Sequence, residues 1–467
     1  MINFQGEEKT NEIRKILSKR GARVYFIGIG GISMSALALL LKENGVFVAG
    51  SDIRQSEITD TLIKQGVKVR FSHSKEAIMS FKPDIAVFSL AIGESNCEYN
   101  AAKNMNVLLI SRAELLGALL EDYKIKIGIS GSHGKSTVTS MLGAVLKEAN
   151  LSPTVLCGAD ISGGAGLSSG EHNYLVYESC EYRDSFLKLR ADVQVLLNLE
   201  LDHTDYFKSE EQIRESFLKA ANSARKCTVL NLDSENLAMI SDKIKTELHT
   251  FSSRDGAEYR YEPTFIDKGN YSFKLYKENN RIGEYFPGAK GRFNLENAVA
   301  TAISADVCGV KYEDSAKAIA EFSGIKRRLE LLTKTPFDVF YDYAHHPSEI
   351  ASVREALVAM GYKNIVAVFA PHTYSRTKSF ESRFVTELAK FNTVYVTDIY
   401  GARESAIVGI SSSALASAVS YTGGVCHAVS DREAPLIVRE IKQCAPDCVL
   451  LMGAGNLDEY KKEILKK

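Results

Sequence analysis

No apolar run in this 467-residue chain reaches the roughly 18 residues of a membrane span, so no transmembrane segment is predicted. The opening residues, Met1-Ile-Asn-Phe-Gln-Gly-Glu-Glu-Lys-Thr10, carry charge early and contain no apolar core, so no secretory signal is expected. Net charge is almost absent as well. The 57 Lys and Arg against 58 Asp and Glu leave −1, which removes any bulk electrostatic argument for nucleic acid or an acidic membrane. Internal repeats and low-complexity tracts are missing. The eight cysteines are scattered, only Cys444 and Cys448 lie close together, and no second Cys or His pair completes a zinc site. Such usage fits reduced thiols in a cytoplasmic enzyme. What remains, 45% hydrophobic and 25% charged residues, describes a soluble globular protein of about three domains.

The chemistry that is present centres on Lys124-Ile-Lys-Ile-Gly-Ile-Ser-Gly-Ser-His-Gly-Lys-Ser-Thr137. Alternating Ile125, Ile127 and Ile129 predict a strand. Gly131 and Gly134 break it, and Lys135 and Ser136 open a helix with apolar positions at Val138, Met141, Leu142, Val145 and Leu146. Strand, glycine loop and helix N-terminus together make an anion site: loop N–H groups and the helix dipole face a phosphate, Lys adds charge, and the Ser hydroxyl can bind Mg²⁺. A nucleoside triphosphate is the predicted ligand. The longer phosphate-binding signature needs a Gly where Ile129 stands; the form here is the shorter Gly131-Ser132-His133-Gly134-Lys135-Ser136.

Upstream, Arg23-Val-Tyr-Phe-Ile27 leads into Gly28-Ile-Gly-Gly-Ile-Ser33 and then a helix. A second strand, Val46–Asp52, ends in an acid 24 residues after Gly28. Gly28 and Gly30 can make the turn of a dinucleotide-type fingerprint and Asp52 can meet a ribose, although Ser33 holds the third glycine position. Further strands are predicted at Val67–Phe71 and Ile85–Phe88, and the unit closes with a helix around Glu114–Leu120. After the phosphate loop, Tyr174–Tyr177 runs into Glu178-Ser-Cys-Glu-Tyr-Arg-Asp184, and Val193–Leu197 into Asn198-Leu-Glu-Leu-Asp-His-Thr-Asp205. Ligands of open parallel sheets sit beyond the strands' carboxyl ends, so these acids point to the same edge as the loop. Ser136 plus Glu178 is a reasonable first Mg²⁺ site, and His203 can reach a second ion or the reacting carboxylate. A strand-rich stretch, Thr250–Tyr285, precedes Gly291-Arg-Phe-Asn-Leu-Glu-Asn297 and an Ala-rich helix.

A third unit is predicted from strands at Phe337–Tyr341, Ile365–Ala370, Val394–Asp398 and Val449–Met452 alternating with helices. Its strand ends carry Asp342-Tyr-Ala-His-His-Pro347, Pro371-His-Thr-Tyr-Ser-Arg376 and Asp398-Ile-Tyr-Gly-Ala-Arg-Glu404. Adjacent His345 and His346 cannot both chelate one metal from a regular element; either is a functional group or a hydrogen-bonded loop histidine. His372 and Arg376 in one loop look like a carboxylate clamp.

Taken in order along the chain, these motifs resemble the Mur ligase family, and its alanine-adding branch in particular. The resemblance rests on Gly28–Ala38, Gly50–Ile53, Ser111–Leu115, Gly131–Thr137, Glu178–Tyr182, Asn198–His203, Asn294–Asn297, Asp342–Pro347 and Pro371–Arg376. It implies a three-domain α/β enzyme: a Rossmann-like UDP-sugar-binding domain over 1–118, a central P-loop-type parallel-sheet ATPase domain over 119–329, and a Rossmann-like amino-acid-binding domain over 330–467. The implied activity is ATP-dependent ligation of L-alanine to UDP-N-acetylmuramate through an acyl phosphate.

Carried over by position, Gly28, Gly30, Gly31, Ser33 and Asp52 serve the UDP-sugar. Gly131, Ser132, His133, Gly134, Lys135, Ser136 and Thr137 hold the ATP phosphates, with Lys135 at the β/γ-phosphates. Ser136 and Glu178 hold one Mg²⁺ and His203 a second. Asn294 and Asn297 contact adenine, Arg328 and His345 phosphates, and Asp342 the ribose. Tyr343, His372 and Arg376 receive L-alanine. Lys135, Glu178, His203 and His345 form the catalytic set. Phe293 and Cys180 depart from common family residues, and no carbamylated lysine is expected near Phe217. The alternatives are a recycling ligase that adds a preformed peptide, an NAD-dependent oxidoreductase built on the first unit, and a nucleotide-regulated binding protein. A monomer or a homodimer is expected, in the cytoplasm, with no nucleic-acid or membrane partner.

Overall fold

Short apolar runs separated by amphipathic helices give three sheets in the computed structural model, which describes residues 7–90, 92–161, 165–402, 404–455 and 457–466. Arg403, part of the third polar run of the C-terminal unit, lies outside the described residues. The first sheet contains β1 (Arg23–Ile27), β2 (Phe47–Ser51), β3 (Lys68–Arg70), β4 (Ile85–Phe88) and β5 (Leu108–Ser111). All pair in parallel in the order β3-β2-β1-β4-β5, so the direction of winding reverses between β1 and β4. A ligand crevice belongs at the carboxyl ends of strands at such a reversal.

The second sheet begins with β6 (Ile125–Ser130), β7 (Thr154–Leu156), β8 (Leu167–Ser168), β9 (Tyr174–Glu178), β10 (Val193–Leu196), β11 (Cys227–Asn231) and β12 (Glu247–Ser252). It continues through β13 (Tyr259–Asp267), β14 (Asn270–Lys277) and β15 (Asn280–Tyr285), in the order β15-β14-β13-β12-β11-β10-β6-β9-β7-β8. The strand that feeds the phosphate loop, β6, lies between β9 and β10 and is parallel to both. Its two acid-bearing neighbours therefore end at the same edge as the loop. Ile127, Ile129, Val176 and Val195 are wholly buried, as strands covered on both faces require.

The third sheet holds β16 (Glu330–Thr333), β17 (Asp338–Asp342), β18 (Ile365–Ala370), β19 (Thr393–Val396), β20 (Cys426–Ala428) and β21 (Cys448–Gly453), ordered β16-β17-β21-β18-β19-β20. Only β16 is antiparallel to its neighbour. Side chains alternate between two cores: Phe340, Ala367, Phe369 and Leu450 enter one, and Val339, Val366, Val368 and Leu451 the other. Helices cover both faces, which makes this sheet doubly wound. The edge strand β16 has no buried residue, which is why its sequence did not read as a strand.

By close contacts the chain divides into two compact units, 1–199 with 211–260 and 300–318, and 200–210 with 261–299 and 319–467. The first unit carries the first sheet and the phosphate loop, and the second carries the third sheet. Among the described residues no helix is long and apolar enough to cross a membrane.

Candidate functional site

The phosphate loop is built as its sequence requires. Gly134 adopts φ +82°, a left-handed conformation costly for other residues, and caps the helix Lys135–Glu148. Asn198, at the end of the neighbouring strand, grips the loop from the side. Its Oδ1 accepts from the His133 N–H at 2.8 Å, its Nδ2 donates to the His133 carbonyl at 3.2 Å, and its own carbonyl accepts from the Ser132 N–H at 3.2 Å. The Lys135 ammonium folds back over the loop, donating to the Gly131 and Ser132 carbonyls and pairing with Glu181 Oε2 at 3.1 Å. Burial disfavours that charge, but Glu181, Cys180 and Glu178 outweigh it and raise the lysine above its ordinary pKa. Glu178 ends β9 and accepts from the Gly158 N–H and from the Cys157 thiol at 3.2 Å. The same thiol lies 3.5 Å from the Ser136 carbonyl, so Ser136 and Glu178 share a neighbour. Ser136 and Thr137 are buried in the first helical turn.

Also in the first unit, the Gly28 and Ile29 N–H groups both donate to the Ser51 carbonyl at 2.9 Å, which closes the turn after β1. Asp52 Oδ2 accepts from the Gly30 N–H at 2.9 Å, and a Cβ on Gly30 would stand 2.7 Å from that oxygen. Asp52 therefore braces the turn from within, a role the ribose expectation did not include. Gly31 caps the helix Ile32–Glu43, and Ser33 lies in its first turn. Beneath them Glu98, fully buried, accepts from Tyr25 Oη at 2.9 Å and the Ser74 N–H at 3.2 Å, and lies 2.8 Å from His73 Nδ1. Glu98 was not singled out in the sequence; a polar residue two positions into a helix carries no periodic signal.

The second unit gathers the other group. Arg376, on the short helix Tyr374–Ser379 after β18, is buried and places its guanidinium against Asp202: Nε to Oδ1 at 3.1 Å, Nη2 to Oδ1 at 2.8 Å and to Oδ2 at 3.1 Å. Burial opposes the Asp202 charge, yet the guanidinium beside it holds the carboxyl well below the usual range. His203 follows with φ +51°, its N–H on Asp202 Oδ1 at 2.6 Å. The third guanidinium nitrogen, Nη1, stands 2.7 Å from His372 Nδ1. The fork that sequence gave to a free amino acid thus already faces a protein carboxylate.

His345 Nδ1 lies 2.9 Å from the Tyr343 carbonyl and 3.4 Å from Glu349 Oε2. Burial, then Arg376, lowers its pKa to about 4; burial, then His345 and Arg376, lowers that of His372 to about 3. Both rings are neutral near pH 7. A carbonyl only accepts, so the Tyr343 carbonyl takes the Nδ1–H of His345 and leaves the lone pair on Nε2. Asp342, at the end of β17, accepts the Leu329 N–H at 2.6 Å on one oxygen and the Ala344 N–H at 2.7 Å on the other. Burial raises its pKa to about 6. Both oxygens are engaged by the chain itself, where a ribose contact was expected. Arg328 lies 3.6 Å from Glu349 and over the Tyr343 ring. Asn294 and Asn297 are buried one turn apart, Asn294 Nδ2 donating to the Lys290 carbonyl at 2.8 Å and Asn297 Nδ2 to Asn294 Oδ1 at 3.3 Å. Glu349 escaped the sequence reading, although an acid three residues after His346 and two after Pro347 is a helix-start signal.

Comparison with known proteins matches three family models in succession: the Mur ligase family catalytic domain over residues 23–124, the Mur ligase middle domain over 129–305, and the Mur ligase glutamate ligase domain over 327–455. A curated relative from Caldicellulosiruptor bescii, named UDP-N-acetylmuramate–L-alanine ligase, is 38% identical over 95% of this chain and 98% of its own. The solved UDP-N-acetylmuramate–alanine ligase of Thermotoga maritima superposes with a TM-score of 0.81 at 25% identity, covering 95% of this chain and 98% of that one. A murein peptide ligase from Psychrobacter arcticus, at 20% identity and TM-score 0.72 over 95% and 98% of the two chains, shares the fold.

Proposed function

The chain belongs to the Mur ligase family, and from that premise we propose that it joins L-alanine to the lactyl carboxylate of UDP-N-acetylmuramate at the expense of ATP. The carboxylate attacks the γ-phosphate to give an acyl phosphate and ADP. The alanine amine then displaces phosphate and forms the amide, an early step of peptidoglycan precursor synthesis. The observation that carries this reading is the loop Gly131–Thr137, whose lysine is held at a helix N-terminus by Glu181, in a chain alike over 95% of its length to a ligase of that name. Catalysis of phosphoryl transfer is mostly positioning and electrostatics, and the loop N–H groups with Lys135 supply both.

We assign the UDP-sugar to 1–118 around Gly28, Gly30, Gly31, Ser33 and Asp52, ATP to 119–329 around the loop, and the amino acid to 330–467 around Tyr343, His372 and Arg376. Ser136 and Glu178 offer a hydroxyl and a carboxylate, the hard oxygens that Mg²⁺ takes. The ion would neutralise charge on the transferring phosphoryl group there, and His203 is the candidate ligand for a second. The family assignment sets aside an oxidoreductase reading of the first sheet. Likeness of fold to a peptide-adding ligase does not choose between amino acid and peptide; the names of the more similar relatives favour the amino acid. We place the reaction in the cytoplasm, where its nucleotide substrates are made.

Phosphate release from ATP, with UDP-N-acetylmuramate, L-alanine and Mg²⁺ omitted in turn, tests the assignment. Full turnover is expected only with all three present. Turnover with L-Ala-γ-D-Glu-diaminopimelate well above that with L-alanine would move the chain to the recycling reading.

A further inference from the structure

His345 and His372 stand edge to face, 5.6 Å between ring centres, and their partners force opposite tautomers on them. The Tyr343 carbonyl only accepts, so His345 carries its proton on Nδ1 and its lone pair on Nε2. A guanidinium only donates, so His372 Nδ1 accepts from Arg376 and its proton is on Nε2. Behind His345 stands Glu349, in the first turn of the helix Pro347–Ala359. Its Oε2 accepts the backbone N–H groups of His345 and His346 at 3.0 and 3.2 Å and lies 3.4 Å from His345 Nδ1. Carbonyl and carboxylate on one ring nitrogen, with a lone pair on the other, is the arrangement of an oriented base.

Resting on the ligase reading above, we propose that His345 is the general base that takes a proton from the α-ammonium of the incoming amino acid, with Glu349 as its positioning residue. An amino acid arrives as a zwitterion whose ammonium has no lone pair, so it cannot attack an acyl phosphate until one N–H proton leaves. That proton passes to His345 Nε2. The freed nitrogen pair bonds to the acyl carbon, and the C–O bond to phosphate breaks with its electrons going to the departing phosphate. The second N–H proton leaves with that phosphate, and His345 returns its own to solvent. Glu349 meets the positive charge that appears on the ring. His372, locked as a neutral Nε2–H donor, suits the amino-acid carboxylate beside Arg376. Among the described residues, Arg376 depresses the basicity of the His345 ring, Glu349 and Asp202 raise it, and Arg328 is paired with Glu349. A substrate carboxylate settling beside Arg376 weakens the depressing charge at the moment a base is needed.

The test separates the two half-reactions in the full-length enzyme. Hydroxylamine, uncharged at neutral pH, intercepts an acyl phosphate without needing a base and gives a hydroxamate. For His345→Gln we expect amide formation with L-alanine to fall by about 100-fold or more, the usual worth of a general base, while hydroxamate yield stays close to wild type. Glu349→Gln should lower amide formation less and, by removing a charge that raises the His345 pKa, move the acid limb of kcat/KM for L-alanine to lower pH. Added imidazole should recover amide formation in His345→Ala. Equal loss of hydroxamate and amide in His345→Gln, or an unshifted pH profile in Glu349→Gln, overturns the proposal. A wild-type enzyme that forms no hydroxamate would instead overturn the acyl phosphate reading itself.

Discussion

Asp202 and Arg376, 174 positions apart in sequence, meet through a two-point contact in which both side chains are almost wholly buried. Planar guanidinium and carboxylate match in shape, and the remaining nitrogen is taken up by His372. An amino-acid carboxylate that uses this arginine must share it with Asp202 or displace that residue.

Removing one partner of a buried pair leaves an uncompensated charge, at a cost of about 3–5 kcal/mol. We expect Asp202→Asn to lose stability on that scale by urea unfolding. Arg376→Lys, which keeps the charge and loses the fork, should raise the apparent KM for L-alanine several-fold with the KM for ATP little changed. Wild-type stability in Asp202→Asn would show the pair to be solvated.

Lys135 carries a second consequence. As a phosphate-loop lysine it should be needed for turnover and not for folding, but Glu181 depends on it for charge balance. We expect Lys135→Ala to abolish turnover and also to lower the melting temperature. Lys135→Ala with Glu181→Gln should recover the melting temperature and leave turnover abolished. Turnover near wild type in either variant would contradict the phosphate-loop assignment.

The contrast between these two pairs shows what sequence carries. Ile365–Ala370 was legible to the residue because a fully buried parallel strand is one apolar run, here bounded by Asn364 and Pro371. The loop at Gly131–Thr137 was legible because its geometry needs glycine at set positions. Val67–Phe71 shortened to Lys68–Arg70, and Val394–Asp398 became Thr393–Val396, starting one residue earlier and ending two earlier, where pairing with the neighbour stops. Pairings such as Asp202 with Arg376, or Glu98 with Tyr25 and His73, arise only when segments distant in sequence converge, and a single sequence holds no record of that. Glu181 and Asp202 stood in plain view within acidic runs, but which cation each would meet was not written there.

Acid should weaken the fold through the two neutral histidines. His345 and His372, lowered to about 4 and about 3, stay unprotonated where the unfolded chain, with a value near 6.5, binds protons. The unfolded state therefore gains protons first, and stability falls as pH drops from about 6.5 towards 4. Asp342, raised to about 6, protonates earlier in the fold than unfolded and offsets one of them in the lower part of that window. His372→Asn should reduce the slope of unfolding free energy between pH 5 and 6 by about 1.4 kcal/mol per unit. An unchanged slope would mean that the ring titrates normally.

Glu178 and His203 should separate in their metal dependence. Glu178→Gln is expected to raise the Mg²⁺ concentration needed for half-maximal turnover and to weaken nucleotide binding measured by calorimetry. His203→Ala should leave nucleotide affinity near wild type and depress acyl phosphate formation. Loss of ATP binding in His203→Ala, with the acyl phosphate yield unchanged, would reverse the two roles.

The central claim is that ATP activates the lactyl carboxylate before the amine arrives. UDP-N-acetylmuramate labelled with ¹⁸O in that carboxylate follows the oxygen directly. One labelled oxygen should appear in the released phosphate for each amide formed with L-alanine, because the bond broken in the second step joins the acyl carbon to an oxygen of the original carboxylate. Unlabelled phosphate accompanying amide formation would show that no acyl phosphate lies on the path, and would contradict the account at its base.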